Sequence, residues 1–575
     1  MAFSSTPASP DSLSKFLSAI GFMLATMVVT SLPVHAADSA PTETPEQREA
    51  RMKWWREARF GMFIHWGPIS LKGTEIGWSR DPGPNGARGG QFPAAVYDAL
   101  YKEFNPTKFN AKEWVAIAKA AGMKYLVFTT KHHDGFCEFD SKLTDYKITS
   151  PQSPFRRDVV KELSDACHAA DIRLGFYYSQ PDEQQPDYRT ANHARYIEYL
   201  HGQVRELLSH YGRVDIIWFD GLGGSAKDWD AQKLFPMMRQ LQPDILINNR
   251  CGLAADFDTP EQTIGRYQVN RPWESCITIC NQWAWKPNDE MKSLKQCLQT
   301  LIRCAGGDGN LLFNVGPMPT GEIEPRQVER LKEMGQWLAK YGQSMYATRG
   351  GPIRPGSWGC TTSKADTLYV HVLTWSGDSI MLPAINRKIV ASAALTGGKA
   401  EVKQTDEGIE ISVPAADRQE IDTIVALKLD GSAADVKPAA VAGSLTAGKK
   451  ATVSNIYQNN ADYAGGKAMD DDENTRWATD SGTHAAQLEV DLGQPTAFNR
   501  VRILQEEPYA NRIQKFELQY KDGDGWKTIL SGTTTPADYV KDFDTVTARI
   551  VRLNILEAAE GPTINEFQLF APKKK

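Results

Sequence analysis

Asp220 closes an apolar run, Val214-Asp-Ile-Ile-Trp-Phe-Asp220, and is followed by Gly221-Leu-Gly-Gly224. A carboxylate at the end of a buried strand, ahead of a glycine-rich loop, faces a cleft where it can attack a substrate or hold an oxygen; the plain alternative is a cap on the next turn. Trp218, two residues earlier, shares the side of Asp220 by the two-residue period of a strand. An aromatic plane beside a carboxylate suits a sugar ring. Of the many tryptophans between residues 54 and 285, Trp78, Trp218 and Trp283 sit best to stack on an apolar sugar face, and the others are read as core.

Two histidines stand side by side in His132-His133-Asp134-Gly135. Adjacent histidines point in different directions and no third ligand of suitable spacing is present, so hydrogen bonding to hydroxyls is the better reading than a metal site. His65, at the end of another apolar run, fits the same role, and Arg250 is placed to hold an oxygen or to lower a carboxylate pKa. Retaining glycoside hydrolysis needs two carboxyl groups about 5–5.5 Å apart, one nucleophile and one acid/base, and Asp220 supplies only one. Glu261, in Asp256-Phe-Asp-Thr-Pro-Glu261-Gln, and Glu274, in Arg271-Pro-Trp-Glu274-Ser-Cys, compete for the second role, and the local sequence leaves the choice open.

The elements that must position these residues are legible as apolar runs: Phe60–His65, Lys124–Thr129, Arg173–Tyr178, Val214–Phe219, Ile245–Asn249 and Asn310–Val315. Strands this uniformly apolar are covered on both faces, as in parallel α/β sheets. Amphipathic segments such as Ala111–Ala121, Val160–Ala170 and Ala194–Tyr211 lie between them and predict helices. Residues 45–345 therefore read as a (β/α)₈-type barrel, a fold that places its chemistry at the C-terminal ends of its strands. The unusual residues stand there: His65-Trp66, His132-His133-Asp134, Tyr178-Ser179, Asp220-Gly221 and Asn249-Arg250. From residue 346 to 432 short alternating runs predict an antiparallel β-sandwich, residues 433–450 an Ala/Gly/Ser/Lys linker, and residues 451–575 a last β-rich module.

With 575 residues, 41% hydrophobic and 23% charged, the chain is globular and multidomain. A net charge of −5 offers no basic field, which argues against nucleic acid as a partner. Phe16–Leu32, an apolar stretch behind Lys15 and ahead of Val34-His35-Ala36-Ala37, predicts a secretory signal cleaved after Ala36, with an uncleaved anchor as the alternative. An exported protein, periplasmic or secreted and not integral to the membrane after cleavage, is expected. Eight cysteines are too few to frame the fold, so free buried thiols or one or two disulfides are expected, with no zinc site at Cys276 and Cys280.

The barrel segment resembles the α-L-fucosidases of glycoside hydrolase family 29. The similarity rests on Arg59-Phe-Gly-Met-Phe-Ile-His-Trp-Gly67, Lys131-His-His-Asp-Gly-Phe136, Gly175-Phe-Tyr-Tyr-Ser179, Ile217-Trp-Phe-Asp-Gly221, Asn248-Asn-Arg250 and Gly309-Asn-Leu-Leu-Phe-Asn-Val-Gly-Pro317. It extends through the sandwich ending near 432, including Thr348-Arg-Gly-Gly-Pro352. The resemblance implies a retaining exo-hydrolase of terminal α-L-fucose on glycans, with Asp220 as nucleophile and a covalent fucosyl-enzyme. It implies that His65, His132, His133, Tyr178, Trp218 and Arg250 contact the sugar, with Tyr177 replacing Tyr178 if the register differs by one. It favours Glu261 over Glu274 as acid/base. The Glu-Trp pair that the family carries after its first strand is altered here to Thr74-Glu-Ile-Gly-Trp-Ser-Arg80, where Trp78 keeps its place and Glu75 does not do so clearly.

No metal or cofactor is required by this chemistry. The last module resembles the discoidin or coagulation-factor type C galactose-binding-like sandwiches through Gly466-Lys-Ala-Met-Asp470, Thr475-Arg-Trp477, Leu488–Leu492, Asn499–Ile503 and Ile564-Asn-Glu-Phe567. Many members of that family bind sugars, and Asp470, the acidic loop after it and Glu566 offer oxygen ligands to a structural Ca²⁺, with a solvated acidic turn as the plain alternative. Two other readings stand beside the fucosidase: a non-catalytic fucose- or galactose-binding adhesion protein with a degenerate barrel, and a retaining exo-glycosidase for a related sugar.

Overall fold

The structure is a computed structural model and describes residues 43–375, 377–406, 408–437, 444–470, 475–505, 509–510, 512–533 and 538–572. The chain divides into Met1–Ala50 and Arg51–Lys575. Residues 43–50 of the first unit open a helix, α1 (Pro45–Ala58), and everything that follows belongs to the second. The expected signal segment and its cleavage position lie outside the described residues. No helix among the described residues is long and apolar enough to cross a membrane.

Seven strands run parallel: β1 (Phe60–Ile64), β2 (Tyr125–Lys131), β3 (Arg173–Tyr178), β4 (Ile216–Phe219), β5 (Leu246–Ile247), β6 (Glu274–Thr278) and β7 (Asn310–Val315). They pair in the order β5-β4-β3-β2-β1-β7-β6. Residues 256–262 close the gap between the two edges. Asn248 bridges to Phe257, Asp258 to Trp273 and Glu261 to Cys276, all parallel, so this segment is an irregular eighth stave. Pro260 lacks the N–H a ladder needs, which keeps the stave from becoming a regular strand. β6 is absent from the strands expected from sequence; its residues Glu-Ser-Cys-Ile-Thr are too polar to read as one.

Alternate residues of the strands feed two cores. Phe63, Tyr125, Val127, Tyr177, Trp218 and Leu312 pack inside the barrel. Met62, Leu126, Phe128, Phe176, Tyr178 and Phe313 belong to the larger core shared with the helices. Those helices are α2 (Ala111–Ala120), α3 (Val159–Ala170), α4 (His193–His210), α5 (Ala231–Leu241), α6 (Leu294–Gly306) and α7 (Pro325–Tyr341). Their starts follow from capping chemistry: Asn110 and Asp158 accept the third backbone N–H of α2 and α3, and Ser293 with Gln296 forms a capping box on α6.

Beyond the barrel, a five-stranded and a three-stranded antiparallel sheet between Arg349 and Leu429 enclose their own core. This sandwich is seated on α6, where a Cβ on Gly306 would lie 2.3 Å from the Cys360 sulfur. Ala433 and Val436 also pack into its core, so the first residues of the expected linker belong to the sandwich. Of the rest of that linker, residues 438–443 lie outside the described set, and Leu445 already packs on the last module. That module is a second antiparallel assembly dominated by the long strands Ala486–Leu504 and Asp538–Ala558. The architecture is thus a barrel-like parallel α/β unit followed by two all-β units. All eight cysteines are free and buried. Of the acidic loop expected to hold Ca²⁺, residues 471–474 lie outside the described residues, while Asp470 accepts the Thr475 hydroxyl at 2.8 Å and Glu566 is buried.

Candidate active site

Asp220 follows β4 directly, at the C-terminal end of the strands, and its carboxylate gathers three neighbours. Arg250 donates to Oδ1 at 3.1 Å, the Tyr177 hydroxyl donates to Oδ2 at 3.0 Å, and His133 Nε2 stands 3.4 Å from Oδ2. Burial alone would raise the pKa of this carboxyl. The neighbouring His133 and the charge of Arg250 outweigh burial and hold it well below the usual carboxylate range. This setting favours the ionised form of the Asp220 carboxyl.

Arg250 joins this carboxylate to a second one. Its Nη1 is 3.1 Å from Asp220 Oδ1 and 2.8 Å from Glu261 Oε2, while Nε and Nη2 donate to the hydroxyl and the carbonyl of Thr259. Two oxygens bound to one nitrogen at these distances lie no more than about 6 Å apart. That bound admits the about 5–5.5 Å carboxyl separation of retaining enzymes. The irregular eighth stave thus has a purpose: it carries Thr259 and Glu261 to the arginine. Glu261 is 42% exposed, at the mouth of the site.

Glu274 lies elsewhere. It points from β6 into the barrel interior, fully buried, where it accepts the Trp55 and Trp218 indole N–H groups at 3.2 Å each and the Tyr125 hydroxyl. Burial pushes it up to about 7 against the effect of those three donors. A pKa near 7 alone would nominate it as a general acid, but every nearby polar partner is a side chain of the barrel floor.

The histidines form one wall. His65 Nδ1 meets Asn314 Oδ1 at 2.7 Å, and Asn314 Nδ2 donates to the Trp283 carbonyl at 2.7 Å, so Nδ1 carries the hydrogen and Nε2 is left as an acceptor. Burial pushes His65 down to about 3, which keeps it neutral. His132 is also buried and held neutral; its ring stacks on Tyr177 at 5.4 Å and 7°, and its Nδ1 has no hydrogen-bond partner among the described residues. Gly77, at φ +70, permits this packing, since a Cβ there would lie 2.8 Å from His132 Nδ1. Trp78, next to it, is 46% exposed and meets the His133 ring edge-on at 6.1 Å. Trp283 packs against His65 at 4.7 Å and Phe63 at 6.0 Å.

Two expected contacts are corrected. Tyr178 faces the helix layer, where its hydroxyl donates to Gln203 of α4 at 2.8 Å and the buried Lys131 ammonium sits 4.5 Å from its ring; Tyr177 is the tyrosine that reaches Asp220. Trp218 does share the side of Asp220, but it is 1% exposed, stacked on Tyr177 and covered by the Arg250 guanidinium at 4.7 Å. It supports the arginine from below and offers no free face to a sugar. Glu75, left in doubt by the sequence, is mostly buried and accepts the backbone N–H groups of Trp283 and Ala284 at 3.0 and 3.2 Å, which anchors the Trp283 loop. Asn314 is a site residue that the sequence names only as part of Gly309–Pro317, and Ser179, noted at its strand end, gains its role as the partner of His133.

Comparison with known proteins adds an independent line. The α-L-fucosidase family profile matches residues 26–343, more than half of the chain, and the F5/8 type C domain profile matches residues 450–567. The human plasma α-L-fucosidase is 27% identical over 379 residues, 60% of this chain and 80% of the relative. Among solved structures, α-L-fucosidase isoenzyme 1 from Paenibacillus thiaminolyticus is 34% identical, covers 67% of this chain and 99% of its own, and superposes with a TM-score of 0.61. An α-L-fucosidase from Bacteroides thetaiotaomicron, 27% identical over 66% of this chain and 96% of its own with a TM-score of 0.59, was captured as a trapped covalent intermediate with 2-fluoro-fucosyl fluoride.

Proposed function

Since the chain belongs to the α-L-fucosidases of glycoside hydrolase family 29, we propose that it removes terminal α-L-fucose from glycans with retention, through an ester on Asp220. The observation that carries this reading is the single Arg250 nitrogen shared by Asp220 and Glu261, which brings one oxygen of each carboxyl within about 6 Å of the other and so supports a double displacement.

In the first step Asp220 attacks the anomeric carbon while Glu261 protonates the leaving oxygen; in the second Glu261 removes a proton from the water that cleaves the ester. Arg250 and the Tyr177 hydroxyl orient Asp220. Glu261, paired with Arg250 at the exposed mouth of the site, stands where both the leaving group and the incoming water pass. Neutral His65 accepts from a sugar hydroxyl through Nε2. Trp283, partly exposed and packed on the His65 ring at 4.7 Å with the buried Phe63 behind it, offers the apolar wall suited to the C5 methyl group of fucose. Burying that methyl stabilises by about 0.8 kcal/mol on the transfer scale.

The apolar stretch Phe16–Leu32 behind Lys15, read as a secretory signal, supports action outside the cytoplasm. The F5/8 type C module at 450–567 supports a second, ancillary contact with glycans, and Asp470 and Glu566 remain proposed Ca²⁺ ligands there. The test is release of 4-nitrophenol from its α-L-fucoside by residues 37–575 beside Asp220→Gly, with and without azide. Turnover lost in the variant and partly restored by azide supports the assignment. A folded wild type with no turnover overturns it in favour of the non-catalytic sugar-binding protein.

A further inference from the structure

The hydrogen bonds around His133 fix a proton on its Nδ1. Its Nδ1 lies 2.5 Å from Ser179 Oγ, and Ser179 Oγ lies 2.7 Å from the Pro181 carbonyl oxygen. A carbonyl cannot donate, so the single Ser179 hydrogen goes to Pro181 and the hydroxyl must accept from His133. Nδ1 therefore carries a hydrogen. On the other side of the ring Nε2 stands 3.4 Å from Asp220 Oδ2, with the Tyr177 hydroxyl already donating to that oxygen. A neutral ring with its hydrogen on Nδ1 would set an unprotonated nitrogen 3.4 Å from a carboxylate oxygen. Moving a proton onto Asp220 instead would discharge the anion that faces the Arg250 guanidinium 3.1 Å away.

We propose that His133 is an imidazolium in the resting enzyme, a second cation on Asp220 beside Arg250, and that it gives up this charge when Asp220 becomes an ester. The second half rests on the covalent mechanism above; the first does not.

The surroundings of His133 support a charge that depends on Asp220. From its own segment His132 stacks close by, with ring centroids 4.3 Å apart, and is held neutral. From the loop after β1, His65 is likewise neutral and Trp78 presents its edge. From the end of β3 come Ser179, uncharged, and Glu183, whose backbone N–H donates to the His133 carbonyl at 2.9 Å and whose carboxyl is pushed up by burial. From the end of β5 comes Arg250, of like charge. Among the described residues Asp220 is the one carboxylate in contact with the ring, at the side of the acidic proton. When Asp220 attacks, the C1–O bond forms from a carboxylate lone pair and the bond to the leaving group breaks with its electron pair. Nε2–H then faces a neutral ester and a guanidinium. The nitrogen keeps the N–H electron pair and the proton passes to solvent water, to return when hydrolysis regenerates the carboxylate.

The test is nitrogen NMR of the full chain labelled with [¹⁵N]histidine, with the His133 resonances identified by their loss in His133→Gln. At neutral pH both ring nitrogens of His133 are expected at the protonated position in the wild type. Asp220→Asn, which keeps the shape and removes the charge, is expected to lose the Nε2 proton while Nδ1 stays protonated. The 2-fluoro-fucosyl adduct, its formation checked by intact mass, is expected to match the variant. A neutral His133 in the wild type, or an imidazolium unchanged in Asp220→Asn, overturns the proposal. Absence of the adduct by mass counts against the covalent mechanism and against the discharge step built on it, while the wild-type and variant spectra still decide the resting charge.

Discussion

Replacing Glu274 by Gln separates the two glutamates that sequence left in competition. The side chain sits on the barrel floor with a pKa raised from 4.5 to about 7 by burial. A tenfold change in proton affinity is worth about 1.4 kcal/mol between the protonation states, so this carboxyl alone changes folding stability by about 3 kcal/mol. The sign follows from proton counting. Between the unfolded value and about 7 the folded protein holds a proton that the unfolded chain has lost, so stability falls as pH rises through this window and the full loss is reached above it. Glutamine cannot titrate. Denaturant unfolding followed by tryptophan fluorescence, in buffers below and above the window, should show the wild type losing about 3 kcal/mol more than Glu274→Gln on going to the alkaline side. Because Glu274 touches neither Asp220 nor Glu261 and a glutamine can still accept the Trp218 N–H, the loss in kcat/KM should stay well below the about 10²–10⁴ that removing a general acid/base costs. Parallel pH profiles of stability would refute the burial argument. A folded Glu274→Gln without turnover, beside an active Glu261→Gln, would refute the assignment of the acid/base.

The other predictions concern the site itself. Tyr177→Phe removes a donor to a carboxylate and should lower kcat/KM by about 10–100-fold, on the about 1.5–3 kcal/mol of hydrogen bonds to charged groups, while Tyr178→Phe should leave it nearly unchanged; steady-state kinetics of both variants decide which tyrosine serves Asp220. Arg250→Lys loses the planar fork that holds Asp220, Glu261 and Thr259 together and should cost about 100-fold. A nucleophile held well below the usual range stays ionised as pH falls, so the acidic limb of kcat/KM should lie below the ordinary carboxylate region in the wild type and move upward in Arg250→Lys. Glu261→Ala should retain more activity on 4-nitrophenyl fucoside, whose leaving group needs little protonation, than on a fucosylated disaccharide; equal losses would remove Glu261 from the acid role.

Much of this arrangement was legible in the sequence because the barrel strands are almost wholly apolar, which marks Arg173–Tyr178 and Asn310–Val315 to the residue. The residues after them stand out for the same reason, as polar side chains where an apolar run stops. What the sequence hides is which alternate set of a strand faces inward. Tyr177 and Tyr178 are both aromatic, and only pairing with β4, where Tyr177 lies opposite Trp218, turns the first toward Asp220. A signal existed: Gly175, Tyr177 and Ser179 form the smaller, more polar set, and Ser179 is the partner of His133. β6 and the eighth stave were hidden because a polar strand and a proline-broken one carry no apolar period. Trp218 shows the converse limit. Its side was readable from periodicity, but its covering by Arg250 and Tyr177 depends on residues distant in the chain.

The most direct test of the double-displacement account is to inactivate the full chain with 2-fluoro-fucosyl fluoride, digest it and locate the label by mass spectrometry. The account predicts one fluorofucosyl group per chain, on the peptide carrying Asp220, and none in Asp220→Asn. A label on another carboxylate, or steady fucoside hydrolysis with no label at all, would contradict it.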